Sequence, residues 1–201
     1  MVDQQIQRRG IVDERVLAAM TAVPRHRFVP SALSPRAYDD SPLPIGFDQT
    51  ISQPYVVAYM TEAAALPRDA VVLEIGTGSG YQAAVLAQIA AKVYSIEIVP
   101  ELAVRSRTLL DELGYDNIEV KAGDGYRGWP TNGPFDGILV AAAPVGVPEQ
   151  LFDQLALGGR LIIPIGRAGF QDLRLYTKNN GGIDEEILEQ VSFVPLLEGV
   201  S

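Results

Sequence analysis

The stretch "AVVLEIGTGSGYQ" (residues 70–82) constrains the fold of this chain more than any other. An unbroken apolar run ends in glycine, three glycines follow in G-x-G-x-G spacing, and a helical pattern begins. A continuous apolar run is the signature of a strand buried on both faces, which belongs in a parallel sheet covered by helices. The alternation then continues. "YQAAVLAQIAA" (81–91) reads as a helix, "KVYSIEI" (92–98) as a strand, and "PELAVRSRTLLDELG" as a helix opened by Pro100 and closed by Gly114. Residues 117–123 and 135–143 read as strands, 147–156 as a helix ended by Gly158–Gly159, and 160–166, 173–178 and 185–196 as final strands, the last bent or split. Short turns between these last strands, "NNGG" (179–182) among them, predict antiparallel pairing at that edge. The expected fold is α/β, a mostly parallel doubly wound sheet with antiparallel edge strands.

Ahead of this core lies an N-terminal extension, residues 1–66. Two helical pieces are separated by Gly10, with Asp13 a candidate cap for the second and Pro24 its end. Residues 24–50 show no sustained period and read as a long ordered loop. A helix starts near Pro54, and Ser52 in "DQTISQPY" is a candidate cap for it. No linker separates 1–66 from 67–201, so one domain is expected.

The composition excludes several chemistries. The 201 residues contain no cysteine and one histidine, His26, which removes disulfides, thiol catalysis, zinc–thiolate sites and multi-histidine metal centres. No metal site is expected. The net charge of −9 argues against a nucleic-acid binder. No apolar run approaches the roughly 20 residues that span a bilayer. The first ten residues lack a signal-peptide core, so a soluble cytoplasmic protein, with no membrane association, is expected.

The acidic residues select the ligand. Glu74 lies two residues before Gly76, where it would repel a dinucleotide pyrophosphate and favour a cation. S-adenosylmethionine carries an ammonium and a sulfonium and no phosphate. Glu97 ends the next strand, where a carboxylate accepts both ribose hydroxyls. Asp124 in "AGDGY" ends the one after and can accept from an adenine amino group. Together these strand ends predict one S-adenosylmethionine site, with S-adenosylhomocysteine as product. The segment "AAAPVG" (141–146) carries no polar clamp for an exocyclic amine, which disfavours amine methylation. Carbon methylation through cysteine is impossible. A carboxylate acceptor is the simplest remaining nucleophile, because it is already ionised.

Several segments, in order and nearly end to end, carry a resemblance: "ERVLAAMTAVPRHRFVP" (14–30), "QTISQPYVVAYMTE" (49–62), "VLEIGTGSGYQ" (72–82), "GDGYRGWP" (123–130), "PFDGILVAAAP" (134–144), "GGRLIIPIG" (158–166) and "FVPL" (193–196). The chain resembles the protein-L-isoaspartate (D-aspartate) O-methyltransferases. "HRFVP" and "QTISQP" are the specific segments; the glycine loop is shared by many methyltransferases. The resemblance implies a Rossmann-like methyltransferase fold. It also implies methylation of the free α-carboxylate of L-isoaspartyl residues in damaged proteins and peptides, which starts repair through a succinimide. By position, Ser52 would be the catalytic residue at the reacting carboxylate. Thr50 and Ile51 would form the wall between donor and substrate. Glu74, Gly76, Thr77, Gly78, Gly80 and Glu97 would contact the donor, with Asp124, Gly125 and Gln171 completing its site. Val194, Pro195 and Leu196 would line the substrate cleft. A monomer is expected.

The chain departs from the family in two places. Phe47 and Asp48 stand where bacterial relatives carry histidine and glycine, and Asp48 is expected to weaken binding of an anionic substrate. Ala141 stands where threonine is common. His26 is expected to be structural. Trp129 and Tyr126 are expected to pack near the adenine, and residues 184–189 to form a solvated strand face. Three other functions stay open from sequence: an O-methyltransferase for a small-molecule carboxylate, a non-catalytic S-adenosylmethionine-binding domain, and, disfavoured by the loop spacing, an NAD-dependent oxidoreductase.

Overall fold

A computed structural model describes residues 1–167 and 169–199. Seven strands form one sheet in the order β5-β4-β3-β6-β7-β8-β9. They are β3 (Val71–Ile75), β4 (Lys92–Glu97), β5 (Ile118–Ala122), β6 (Phe135–Val140), β7 (Leu155–Arg167), β8 (Phe170–Asn179) and β9 (Gly182–Val191). The first five are parallel, and β8 and β9 add antiparallel pairs. Strand order reverses at β3, whose neighbours are β4 on one side and β6 on the other. Chain leaving the C-terminal ends of β3 and β6 therefore splays apart there and opens a crevice.

The two faces of the sheet are covered unequally. On one, alternate strand residues such as Val72, Val93, Leu139 and Ile162 pack against α1 (Glu14–Ala22), α2 (Pro54–Ala63), α3 (Tyr81–Ala87) and α4 (Pro100–Glu112). On the other, Leu73, Ile138, Leu161 and Ile163 meet α5 (Glu149–Asp153) together with Trp129, Val147 and Leu196. The helix expected over 147–156 is only five residues long, and the chain enters β7 at Leu155. Gly158 and Gly159 sit inside β7, where the register against β6 slips between Phe135 and Gly137. Gly159 passes so close to the Phe135 and Ala156 carbonyls that a Cβ would lie 2.9 Å from each oxygen. These glycines therefore mark an irregular strand entry and not a helix end.

In the extension, Asp13 caps α1 as expected, its carboxylate accepting from the Arg15 and Val16 N–H groups. Gly10 takes φ 102° between two short irregular turns and α1. Residues 24–50 are more regular than expected. After two 3-10 turns the chain forms a hairpin of β1 (Leu43–Gly46) and β2 (Gln49–Ile51). Phe47 and Asp48 form its tip, both at φ 55°. The end of the expected final strand is split: β9 stops at Val191, and Pro195 makes an isolated parallel bridge to Ala143. Among the described residues no helix is long and apolar enough to cross a membrane.

Candidate active site

Three walls meet at the strand-order reversal and enclose a cleft of about 550 Å³. The floor is the glycine loop leaving β3, with Gly76, Thr77 and Gly78 exposed to the cleft and Gly125 beside them. The second wall is the end of β2 and the start of α2, presenting Thr50, Ile51 and Ser52. The third is the segment after β9, presenting Val194, Pro195 and Leu196 above Gln171. Ala141 and Ala142 close the apolar base.

Glu97 is the acidic strand end that reaches the cleft. It is buried, with Oε2 accepting from the Gly78 N–H at 2.7 Å and Oε1 from the Val99 N–H at 3.0 Å. It thus braces the loop, and each oxygen keeps a further lone pair for a ligand hydroxyl. Glu74 and Asp124 do not line the cleft. Glu74 is paired across the sheet with Ser95, two residues deeper than Glu97, and is fully buried beneath the loop. Burial pushes its carboxyl up to about 8, against a lowering by the Ser95 hydroxyl. The Asp124 carboxylate turns back to the Tyr126 N–H at 2.9 Å, and Arg127 lies 3.8 Å away. Gly80 also stays out of the lining. It starts α3 at φ 87°, and a Cβ there would press on Leu110 and Ser106 of α4, so helix packing requires this glycine.

Ser52 does not cap α2. The cap position is Gln53, without a side-chain bond, and Pro54 opens the helix. Ser52 lies one residue outside the cap position, and the Tyr55 N–H in the first turn donates to Asp40 Oδ1 at 3.4 Å. Instead, the Ser52 carbonyl accepts from Arg25 Nη2 at 2.8 Å. Arg25 is the positioning residue that sequence reasoning missed. Its guanidinium is buried, donates also to the Ala37 carbonyl at 2.7 Å, and lies 4.7 Å over the Tyr81 ring. It ties the Ser52 segment to α3, and nothing in "PRHRFVP" distinguishes it from its neighbours. His26 does not line the cleft and pairs with the Tyr38 hydroxyl at 2.7 Å, in keeping with a structural role.

The third wall is clamped at four points. Gln171 Nε2 donates to the Phe193 carbonyl at 3.0 Å, and its Oε1 accepts from the Phe193 N–H at 2.6 Å. The Ala143 N–H donates to the Val194 carbonyl, and the Leu196 N–H to the Ala143 carbonyl. Gln171 therefore works as a brace for 193–196. Tyr126 donates to the Leu196 carbonyl at 3.4 Å, while Trp129 packs edge-on against Tyr94; neither lines the cleft. Phe47 and Asp48, at the hairpin tip, do not line it either.

The model of the protein-L-isoaspartate(D-aspartate) O-methyltransferase family matches residues 1–201. The chain belongs to that family. Relatives bearing the name protein-L-isoaspartate O-methyltransferase include one from Gloeobacter violaceus, 57% identical over 98% of this chain and 96% of its own length. One from Opitutus terrae is 58% identical over 97% of this chain and 84% of its own. A solved structure of a protein-L-isoaspartate O-methyltransferase superposes with a TM-score of 0.84 at 30% identity, covering 94% of this chain and 62% of that longer chain. A Plasmodium falciparum structure given the same enzyme name, in complex with S-adenosyl-L-homocysteine, superposes with a TM-score of 0.82 over 95% of this chain and 94% of its own. In this member of the isoaspartate methyltransferase family the loop at 76–79 and the segment at 50–52 face each other across the cleft.

Proposed function

We propose that this chain transfers a methyl group from S-adenosylmethionine to the free α-carboxylate of an L-isoaspartyl residue in a damaged protein or peptide. The observation that carries this reading is the cleft itself. A glycine loop braced by Glu97 faces Ser52 across a space that suits a nucleoside plus one acidic side chain. The residues fit S-adenosylmethionine: among the described residues lining the cleft the one cationic side chain is Arg9, which is held by Asp40 and the Tyr55 ring, and Ala141 and Ala142 give an apolar base. When bound, this donor supplies an electrophilic methyl on sulfonium and leaves as neutral S-adenosylhomocysteine.

The chain's own residues have three tasks. Glu97 and the close approach of the loop backbone at Gly76 and Gly78 hold the nucleoside side. The Ser52 hydroxyl, free of capping, donates to one carboxylate oxygen of the substrate and leaves the other to attack. The clamp through Gln171 and Ala143 keeps 193–196 over the cleft and limits water around the reacting charges. No deprotonation is needed, since the nucleophile is an ionised carboxylate. After release, the adjacent backbone nitrogen attacks the ester carbonyl, methanol leaves, and the succinimide reopens to aspartate or isoaspartate.

The chain works as one domain, its 1–66 extension supplying a wall to the 67–201 core, and as a monomer. Its substrates are isoaspartyl proteins and peptides. The net charge of −9 disfavours nucleic acid as a partner, and the cytoplasm is the proposed compartment. Competition decides the substrate class. An isoaspartyl peptide is expected to accept label from S-adenosylmethionine in preference to free aspartate and other small carboxylates. Preference for a free metabolite would reject the protein-repair reading.

A further inference from the structure

Beneath the glycine loop lies a buried chain of three side chains that the reaction does not use directly. The Ser95 hydroxyl lies 2.5 Å from Glu74 Oε2 and 2.5 Å from the Thr77 hydroxyl. All three residues are buried, and Thr77 alone also lines the cleft. We propose that Ser95 is a positioning residue for donor binding: it joins Glu74 to Thr77 in a relay whose direction sets whether the Thr77 hydroxyl donates into the cleft. This inference rests on the donor-site reading of the cleft given above.

Proton counting gives the two directions. Ser95 has one proton and two neighbours. If Glu74 is ionised, Ser95 donates to it, and Thr77 must donate to Ser95; Thr77 then has no proton left for a ligand. If Glu74 is protonated on Oε2, that proton goes to Ser95, Ser95 donates to Thr77, and the Thr77 proton is free for an acceptor atom of the donor. The geometry favours the second state. Glu74 Oε1 is buried without a hydrogen-bond partner among the described residues, which suits a neutral carbonyl oxygen far better than an anionic one. The groups facing Glu74 act in both senses: the Ser95 hydroxyl and the Ala83 backbone N–H favour the ionised form, while Glu97 opposes it. From β4 come Ser95 and the Glu97 carboxylate, and from α3 the Ala83 backbone N–H; its β6 neighbour is Leu139. Burial and the like charge of Glu97 both raise the Glu74 carboxyl, so ionisation falls within reach of alkaline pH.

Calorimetric titration of S-adenosylhomocysteine from pH 7 to 9.5 tests this on the full chain. For the wild type, affinity is expected to fall about five- to tenfold, the loss of one hydrogen bond, beyond any fall shared with Glu74→Gln. Glu74→Gln keeps a donor toward Ser95, so its affinity should not show that extra fall. Thr77→Val should bind more weakly at pH 7 by the same factor, and neither it nor Ser95→Ala, which cuts the link to Glu74, should show the extra loss above it. Matching pH profiles for wild type and Glu74→Gln would overturn the relay, as would wild-type affinity in Thr77→Val at pH 7. Absence of binding by every form at every pH would overturn the donor site itself and the relay with it.

Discussion

Ser52 sits just outside α2, with its carbonyl held by Arg25 and its hydroxyl uncommitted to the helix. Ser52→Ala is therefore expected to lower kcat about 100-fold, in the range for losing one donor to a reacting oxygen. Stability should change by less than about 0.5 kcal/mol, because no cap is lost. Steady-state kinetics beside thermal melting separates the two, and a large drop in melting temperature with kcat intact would return Ser52 to a structural role. Glu74 makes a second residue-scale prediction. Its folded value of about 8 lies above its ordinary 4.5, so the folded state binds the extra proton. Stability from this group is complete below about pH 4.5 and is lost as pH rises toward 8. The melting temperature of the wild type should fall relative to Glu74→Gln across that window; parallel curves would contradict it. The three acidic strand ends were legible in sequence, but their depth was not. Register places Glu74 opposite Ser95 and lets Glu97 project past β3, and a local turn draws Asp124 back onto Tyr126. Arg25 was invisible because its partners are carbonyls remote in sequence, which no side-chain pattern encodes.

The β1–β2 hairpin shows how an element escapes sequence reading. Its strands have four and three residues, too short to set a period, and its tip lacks the glycine that marks such turns. Phe47 and Asp48 both hold φ 55°, a region that costs side-chain-bearing residues energy. The departure at Asp48 is thus a backbone matter before it is an electrostatic one. Asp48→Gly is expected to stabilise the protein by about 0.5–1 kcal/mol. The KM for an isoaspartyl peptide should stay unchanged, since Asp48 does not line the cleft. Denaturant unfolding and peptide kinetics check this; a lower KM without added stability would restore the charge explanation. By contrast α1, α2 and α4 were legible at their starts, because Asp13, Pro54 and Pro100 act through local geometry alone.

At the scale of the molecule, the order of strands was readable only in class. Apolar runs and alternation predict a parallel, doubly wound sheet, and β3, β4, β5 and β6 follow the expected segments closely. The thin second face was not readable, because Gly158–Gly159 look like a helix stop when they in fact let β7 cross close to Phe135. The strand-order reversal then decides where the cleft lies, and the extension supplies the wall that carries Ser52. A net charge of −9 around an anionic acceptor also predicts that added salt, by screening, speeds capture of acidic peptides more than neutral ones. The central claim is tested most directly by incubating the protein with methyl-labelled S-adenosylmethionine and two peptides differing only in carrying L-isoaspartate or L-aspartate. Base-labile methyl ester on the isoaspartyl peptide alone is the predicted result; equal labelling of both, or labelling of neither, would contradict it.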